Sequence, residues 1–405
     1  MYDGQIGNVD LVKQLNSAAV YRLIDQQGPI SRIKIAEISQ LAPASVTKIT
    51  RQLLEHGLIN EVAQQASTGG RRAISLTTET LSFQSIAVRI GRDYVQFCLY
   101  DLSANSLYES NHDLPYTNQT ELVYSLLEKL DSFVDQCQSQ ITHLIAIGVI
   151  LPGLVDPATG DVDYMPHITV ADFKLGELIS EHLQCPCLVG NDVRGIALAE
   201  HYFGATQGCQ DSILVSVHRG TGAGIIMNSQ VFLGHNRNVG EIGHIQIDPL
   251  GEQCQCGNFG CLETVAANPA ILRKIRRLLA QGYPSSLHQV PDSDLTVEVI
   301  CEHALAGDEL AKQTLIMVGH TLGKAIAMTV NLFNPQKIVL AGHIKAAHDI
   351  IFPAIYRSIS TQSLSALHKH LTLVPSEIDH RPTMGAFAMI KRAMLNGELL
   401  QKLLA

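Results

Sequence analysis

The sequence predicts an α/β protein of more than one domain, with a short helical head ahead of a long body in which strands and helices alternate. Three observations predict it. The chain has 405 residues with 46% hydrophobic and 17% charged side chains, enough for a large core and too long for one small module. The hydropathy pattern changes near residue 82, from three- and four-residue steps to strand-like runs separated by helices. Charge is also split, since residues 1–80 carry a net +1 and the rest a net -10, against a whole-chain value of -9. The acidic balance excludes a protein that coats nucleic acid over its whole surface, but leaves room for a local basic module. The first residues lack a basic and apolar leader, and the apolar run Leu144 to Val155 is too short to span a bilayer, so the expected location is cytoplasmic.

In the head, Leu11, Leu15, Ala19, Leu23 and Ile24 mark one amphipathic helix that Gly28-Pro29 ends. Ser31 suits the N-cap of a second helix through Ser39, with Ile33, Ile35, Ala36 and Ile38 expected largely inward. After the turn Gln40-Leu41-Ala42, Pro43 opens a third helix to Glu55, with Val46, Ile49, Leu53 and Leu54 as its core stripe. That leaves Ser45, Thr47, Lys48, Arg51 and Gln52 on another face. Two short helices joined by a tight turn, the second polar and basic near its start, are helix-turn-helix geometry, in which the second helix enters the major groove of double-stranded DNA. Ile59 to Val62 and Ala73 to Leu76 are expected strands, and between them Gly69-Gly70-Arg71-Arg72 forms a wing whose arginines, Arg71 and Arg72, reach phosphate or the minor groove. The expected DNA contacts are therefore Ser45, Thr47, Lys48, Arg51, Gln52, Arg71 and Arg72.

In the body, strands are expected at Ile86 to Ile90, Val95 to Tyr100, Leu144 to Leu151, Cys187 to Val189, Ser212 to Val217, Gly224 to Met227 and Lys337 to Ala341. Helices are expected at Tyr116 to Gln138 and Asp192 to Phe203, and mostly helix follows Gly260. His244, Cys254, Cys256 and Cys261, with Gly251, Gly257 and Gly260 among them, are one imidazole and three thiols within eighteen residues. This donor set closes a tetrahedral structural zinc site and leaves no open position for hydrolysis. The pair Cys185 and Cys187 lacks partners in sequence, and Cys98, Cys137, Cys209 and Cys301 are expected as buried small residues. A basic helix at 271–280, with Arg273, Lys274, Arg276 and Arg277, is expected as a solvated face.

Three glycine-rich points punctuate the body: Leu151-Pro152-Gly153-Leu154-Val155-Asp156, Gly220-Thr221-Gly222-Ala223-Gly224 and Gly240-Glu241-Ile242-Gly243-His244. With the Cys cluster, they make residues 82–405 resemble the ROK family of repressors, open reading frames and sugar kinases. The resemblance implies a two-lobed, actin-like ATPase fold. It places the winged helix-turn-helix at 1–80, a first lobe at 81–195 with 384–405, and a second lobe with the zinc site and oligomerisation helices at 196–383.

The stretches Leu11 to Ser17, Ser67 to Arg72 and Lys391 to Gly397 narrow the resemblance to repressors of N-acetylglucosamine uptake and catabolism genes. The implied inducer is a sugar phosphate such as N-acetylglucosamine 6-phosphate, and the implied assembly is a homodimer or homotetramer. The neighbouring branch, repressors of glucose and phosphotransferase genes sequestered by a membrane transporter component, would use the amphipathic stretch Met389 to Leu404 as a protein contact.

The resemblance also implies a sugar held by Gly153, Asn191, Asp192, Glu241, His244 and Glu263, with His244 serving both sugar and zinc. A phosphate nest at Gly220, Thr221 and Gly222, helped by Arg219, would hold the 6-phosphate. In kinases of the family, the residue matching Asp192 is the general base, and Asp-x-Gly-x-Thr helps hold ATP and its metal. This chain has Arg89-Ile90-Gly91-Arg92-Asp93 at that place, a cation where a carboxylate should organise Mg²⁺. The expectation is therefore a protein that senses a sugar and does not phosphorylate one.

Overall fold

The computed structural model describes residues 9–63, 74–235 and 238–404. The wing arginines Arg71 and Arg72 lie outside the described residues. Two compact units emerge, residues 1–190 with 386–405, and residues 191–385. The chain passes between them at Gly190–Asn191 and again at Gly385–Ala386.

The head contains helices α1 (Val9–Gln27), α2 (Arg32–Ser39) and α3 (Pro43–Glu55). Its small antiparallel sheet has the order β1 (Ile30–Ser31), β3 (Ile74–Thr78), β2 (Ile59–Ala63). The Ser31 hydroxyl accepts from the Lys34 amide and starts α2, and Gln40 ends it in the left-handed conformation. Val46, Ile49 and Leu53 of α3 pack inward with Ile35, Val20, Tyr21 and Ile24. Here one expectation fails. On α2 only Ile35 is buried, while Ile33 is 75% and Ile38 40% exposed. Eight residues give just over two turns, and the packed stripe of so short a helix has room for one inward aliphatic. Ile33 instead lines a shallow groove with Ala36, Leu41, Pro43 and Thr47.

In the first unit, β4 (Phe83–Ile90), β5 (Tyr94–Asp101), β6 (Ser106–Asp113), β7 (His143–Leu151) and β10 (Cys187–Asn191) form a five-stranded sheet of order β10-β7-β4-β5-β6. Strand β4 pairs antiparallel with β5 and parallel with β7. Between β6 and β7, α4 (Gln119–Cys137) covers one face through Leu122, Leu126, Leu130 and Phe133. It starts at Gln119 because Asn118 caps it, whereas Tyr116 donates its hydroxyl to the Gly91 carbonyl at 3.0 Å. The short pair β8 (Leu154–Val155) and β9 (Val162–Tyr164) precedes α5 (Leu175–Leu183).

The second unit opens with α6 (Asp192–Phe203). Its sheet has the order β13 (Gln230–Val231), β12 (Thr221–Met227), β11 (Ser212–Val217), β14 (Lys337–Ala341), β15 (Thr372–Pro375). Pairing is antiparallel from β13 to β11 and parallel from β11 to β15. Helices α7 (Glu263–Ala266), α8 (Asn268–Ala280), α9 (Val297–Leu305), α10 (Glu309–Phe333), α11 (His348–Gln362) and α12 (Ser365–His368) build the rest of its core. Helix α10 is long and apolar enough to cross a membrane by length and composition, yet Leu315, Val318, Leu322, Ile326 and Val330 are fully buried in the unit. Gly319 and Gly323 let α11 approach closely: a Cβ on Gly323 would lie 2.7 Å from the Ile355 carbonyl. On α8 the basic residues are surface groups, with Arg273 facing Glu252 and Arg276 facing Asp292.

A fully buried carboxylate organises the end of this unit. Glu200 of α6 accepts from the Ser376 hydroxyl at 2.5 Å and from the Glu377 and Ile378 amides at 2.9 and 3.0 Å, and its other oxygen accepts from Ala205 N at 2.7 Å.

The C-terminal stretch Met389 to Leu404 falls in two helices, α13 (Met384–Leu395) and α14 (Glu398–Leu403). They are broken at Gly397, whose φ of +89° only glycine adopts readily. Met389, Ile390, Ala393, Met394, Leu399 and Leu400 are buried, so the apolar face offered as a transporter contact is used within the protein. All nine cysteines are free thiols. Cys209 is half-buried rather than buried, and Cys187 likewise.

Candidate sugar, metal and DNA sites

The metal cluster is set by backbone. Ile247 and Asp248 donate to the Gly260 carbonyl, Cys254 donates to Asn258, and Leu262 donates to Ile245, folding residues 245–262 into a knuckle. Gly260 sits at φ +65°, and a Cβ there would lie 1.5 Å from the Asp248 carbonyl, so the chain closes only with glycine. The ligand atoms of His244, Cys254, Cys256 and Cys261 all fall within 4.8 Å of one another. Tetrahedral zinc with Zn–S of about 2.3 Å separates neighbouring sulfurs by roughly 3.8 Å. Here the Cys256 and Cys261 sulfurs are 3.7 Å apart, and Cys254 Sγ is 3.7 Å from His244 Nδ1. The Asn258 amide draws the exposed Cys256 thiol down to about 7, toward the thiolate a metal needs. The cluster can therefore hold a metal ion.

His244 also faces the other way. Its Nε2 lies 4.0 Å from Glu241 Oε2, while Nδ1 is 3.8 Å from Glu263 Oε1. Glycine again brings the parts together. A Cβ on Gly240 would be 1.9 Å from the Ala223 carbonyl, and one on Gly243 2.2 Å from the Thr221 carbonyl, so the 240–244 turn lies directly on β12. Burial raises the Glu241 carboxyl above its ordinary range. His244 and Arg194 pull it down, and Glu263 and Asp192 push it up. Glu241 keeps 55% of its side chain exposed, so the desolvation is partial. The second unit thus brings Asp192, Glu241, His244 and Glu263 into one electrostatic group, with the buried Arg194 among them. Sequence reading passed over Arg194 because one arginine on a helix carries no local signal.

Asn191 caps α6 by accepting from the Arg194 amide at 3.0 Å, and Asp192 Oδ1 accepts from the Val193 amide at 2.9 Å. The Gly220 turn is closed by His218 N donating to Gly220 O at 2.9 Å. A Cβ on Gly220 would lie 3.5 Å from Glu263 Oε2, so a carboxylate borders the nest proposed for phosphate. Thr221 is 6% exposed and its hydroxyl lacks a partner, while Gly222 faces Val193. Gly153 belongs to the first unit. At φ +139° its missing Cβ leaves room for the Tyr164 carbonyl, which would be 2.1 Å away, so the chain itself requires this glycine. In β4, Arg89 stands opposite Gln96 of β5.

On α3, Thr47, Lys48 and Arg51 are exposed, and Ser45 and Gln52 half-exposed. The Thr47 hydroxyl donates to the Pro43 carbonyl, and Arg51 lies 3.8 Å from Glu55. Beneath them Arg32 reaches the Thr50 hydroxyl at 3.0 Å and Glu61 at 2.7 Å, tying α3 to β2. A basic, exposed helix is thereby held on a braced scaffold.

These parts recur in known proteins. The DNA-binding transcriptional dual regulator NagC of Escherichia coli (strain K12) is 60% identical over 400 residues, covering 99% of this chain and 98% of that one. The DNA-binding transcriptional repressor Mlc of the same strain is 39% identical over 404 residues, covering 99% of each chain. The crystal structure of a ROK family transcriptional regulator, a homologue of the Escherichia coli Mlc protein, matches with a TM-score of 0.92 at 42% identity, over 98% of this chain and 100% of that one. A ROK family glucokinase from Streptomyces griseus, with glucose and AMPPNP, shares the fold of the body at a TM-score of 0.66 and 23% identity, over 76% of this chain and 99% of that one. Residues 15–65 match the MarR family, which accounts for the winged helix, and residues 85–393 match the ROK family. From head to C-terminus, this chain belongs to the ROK family, as a member with a MarR-type winged helix ahead of the actin-like kinase fold.

Proposed function

We propose that the protein is a DNA-binding transcriptional repressor of N-acetylglucosamine uptake and catabolism genes, released from its operator by N-acetylglucosamine 6-phosphate. The observation that carries this reading is 60% identity to NagC running through both the head and the sugar-sensing body. The protein acts as a binding protein and not as an enzyme, because Arg89 replaces the carboxylate that would organise Mg²⁺ for phosphoryl transfer. Zinc is the metal that fits one imidazole and three thiolates. It would hold the His244 ring in place, fix its tautomer, and leave Nε2 for a sugar hydroxyl beside Glu241.

The sugar is held by Asn191, Asp192, Glu241, His244 and Glu263. Its phosphate lies at Gly220, Thr221 and Gly222. A homodimer or homotetramer in the cytoplasm presents paired heads to a two-fold operator, where Ser45, Thr47, Lys48, Arg51 and Gln52 read the major groove and Arg71 and Arg72 hold the backbone.

Two measurements test it. Titration calorimetry with N-acetylglucosamine 6-phosphate is expected to show binding in the full-length protein. In Asp192→Asn, which loses an acceptor for sugar hydroxyls, affinity is expected to fall about ten-fold or more. Tighter binding of the unphosphorylated sugar would overturn the phosphate assignment. In the head, Arg51→Ala is expected to weaken operator binding and reduce the salt slope by about 1. An unchanged slope would remove Arg51 from the interface.

A further inference from the structure

Two of the sequence stretches that narrowed the family resemblance, Leu11 to Ser17 and Lys391 to Gly397, lie at opposite ends of the chain and meet in the structure. Gln14 Nε2 donates to the Asn396 carbonyl at 3.4 Å. Arg22 donates to the Leu395 carbonyl, the last of α13, at 2.8 Å. Lys391 pairs with Asp25 at 2.5 Å, with side chains only 12% and 14% exposed. A Cβ on Gly397 would fall 2.8 Å from Gln14 Cγ and 3.1 Å from Ala18 Cβ. Residues 14, 18, 22 and 25 form one stripe of α1 at steps of four, four and three. Val20, Tyr21 and Ile24 belong to the head's own core. The first helix therefore has two jobs, with one face building the head and the other docked on α13 and α14.

At its other end α13 leads back to the sugar group. Met384 N donates to the Arg381 carbonyl, Arg381 N to the Ile378 carbonyl, and Ile378 N to Glu200. Glu200 lies on α6, the helix that Asn191 caps and Asp192 begins. The steps between Glu200 and α13 are backbone-amide hydrogen bonds of the turn at 376–383, of which the one to Glu200 is buried. Spatial continuity alone does not make a coupling, which needs an energetic test.

We infer that α13 is the strut carrying effector state to the operator-reading head, and that the Asp25–Lys391 pair, with the Arg22 bond to its last carbonyl, is the positioning joint. The inference rests on the proposed repressor reading. A buried pair tolerates little change of geometry, so it transmits a displacement of α13 to α1 where exposed pairs would slacken.

The test measures operator affinity of the full-length protein by fluorescence anisotropy, with and without N-acetylglucosamine 6-phosphate, on a duplex selected from a random library by the protein itself. The ratio of the two dissociation constants is the coupling. Lys391→Gln is expected to reduce that ratio about five-fold or more, while effector affinity of the DNA-free protein, by calorimetry, stays within about two-fold. The exchanged pair Asp25→Lys with Lys391→Asp is expected to recover most of it. An unchanged ratio in a folded Lys391→Gln protein overturns the inference. Should that variant fail to fold, Arg22→Met, which keeps the aliphatic stem and removes the donor to the α13 carbonyl, decides by the same ratio. If the unaltered protein binds neither sugar phosphate nor a selected duplex, the repressor reading itself fails, a different outcome from lost coupling.

Discussion

Replacing Cys261 by Ser is expected to empty the metal site and cost about 100-fold or more in affinity for N-acetylglucosamine 6-phosphate, close to 3 kcal/mol. Cys261 is fully buried, and its backbone bridges Gln246 in the knuckle. Its sulfur is one of four donors already set at tetrahedral spacing. A serine hydroxyl is a far weaker zinc ligand than a thiolate, so the remaining three donors hold metal poorly. Residues 248–261 then lose the cross-link that fixes a loop whose large apolar side chains, Leu250 and Phe259, are exposed. His244 is both a ligand and a neighbour of Glu241, so disorder there reaches the sugar group directly. Metal content by inductively coupled plasma mass spectrometry should fall from about one ion per chain to near zero, and calorimetry should show the lost affinity. Full metal with unaltered affinity would show that the cluster does not act as proposed. Chelator treatment of the unaltered protein should reproduce both effects.

Glu200→Ala is expected to lower stability by about 3–5 kcal/mol, among the largest single-site effects available in this chain. The carboxylate is completely buried and takes four hydrogen bonds, three of them from Ser376, Glu377 and Ile378. Truncation leaves the Glu377 and Ile378 amides without their acceptor, each orphan costing about 1–3 kcal/mol before relaxation, while the Ser376 hydroxyl keeps Asp379 at 3.0 Å. A glutamine would restore volume and one acceptor but place an amide N–H against a backbone N–H, so Glu200→Gln should recover only part of the loss. Urea titration followed by far-ultraviolet circular dichroism measures both. A midpoint within experimental scatter of the unaltered protein for Glu200→Ala would mean that water reaches this site and satisfies it.

What the sequence discloses depends on whether partners are neighbours along the chain. The limits of α3 and α6 are legible because a helical period and a start signal coincide, Pro43 in one case and Asn191 in the other. The four donors of the cluster that can hold a metal ion are legible for the same reason, since eighteen residues carry the whole set. Edge strand β6, Ser106–Asp113, carries little apolar alternation because it is held by backbone pairing to β5, and its half-buried positions are Tyr108, Ser110 and His112. Ile33 was misplaced because period alone does not say which apolar residues of a two-turn helix meet a partner. Glu200 and Ser376 are 176 residues apart, and Asp25 and Lys391 are 366 apart, so no local pattern could pair them. Arg194 belongs to the same class. Asp192, Glu241, His244 and Glu263 were marked by motifs, and Arg194, the charge that lies among them, was not.

Helix α10 carries a consequence for biosynthesis. The 25-residue helix contains an 18-residue stretch of mean hydropathy 1.3, which is harmless only while its apolar face is sealed by α11 and the rest of the second unit's core. During synthesis α10 emerges before α11, α12 and Lys337–Ala341 exist to cover it, so for some seconds the nascent chain displays a stretch that translocation machinery and other nascent chains can grip. Variants that slow closure of this unit should therefore be lost to aggregation and membrane fractions before their equilibrium stability ever matters. For such variants cellular abundance will report how fast α10 is covered rather than how firmly it is held.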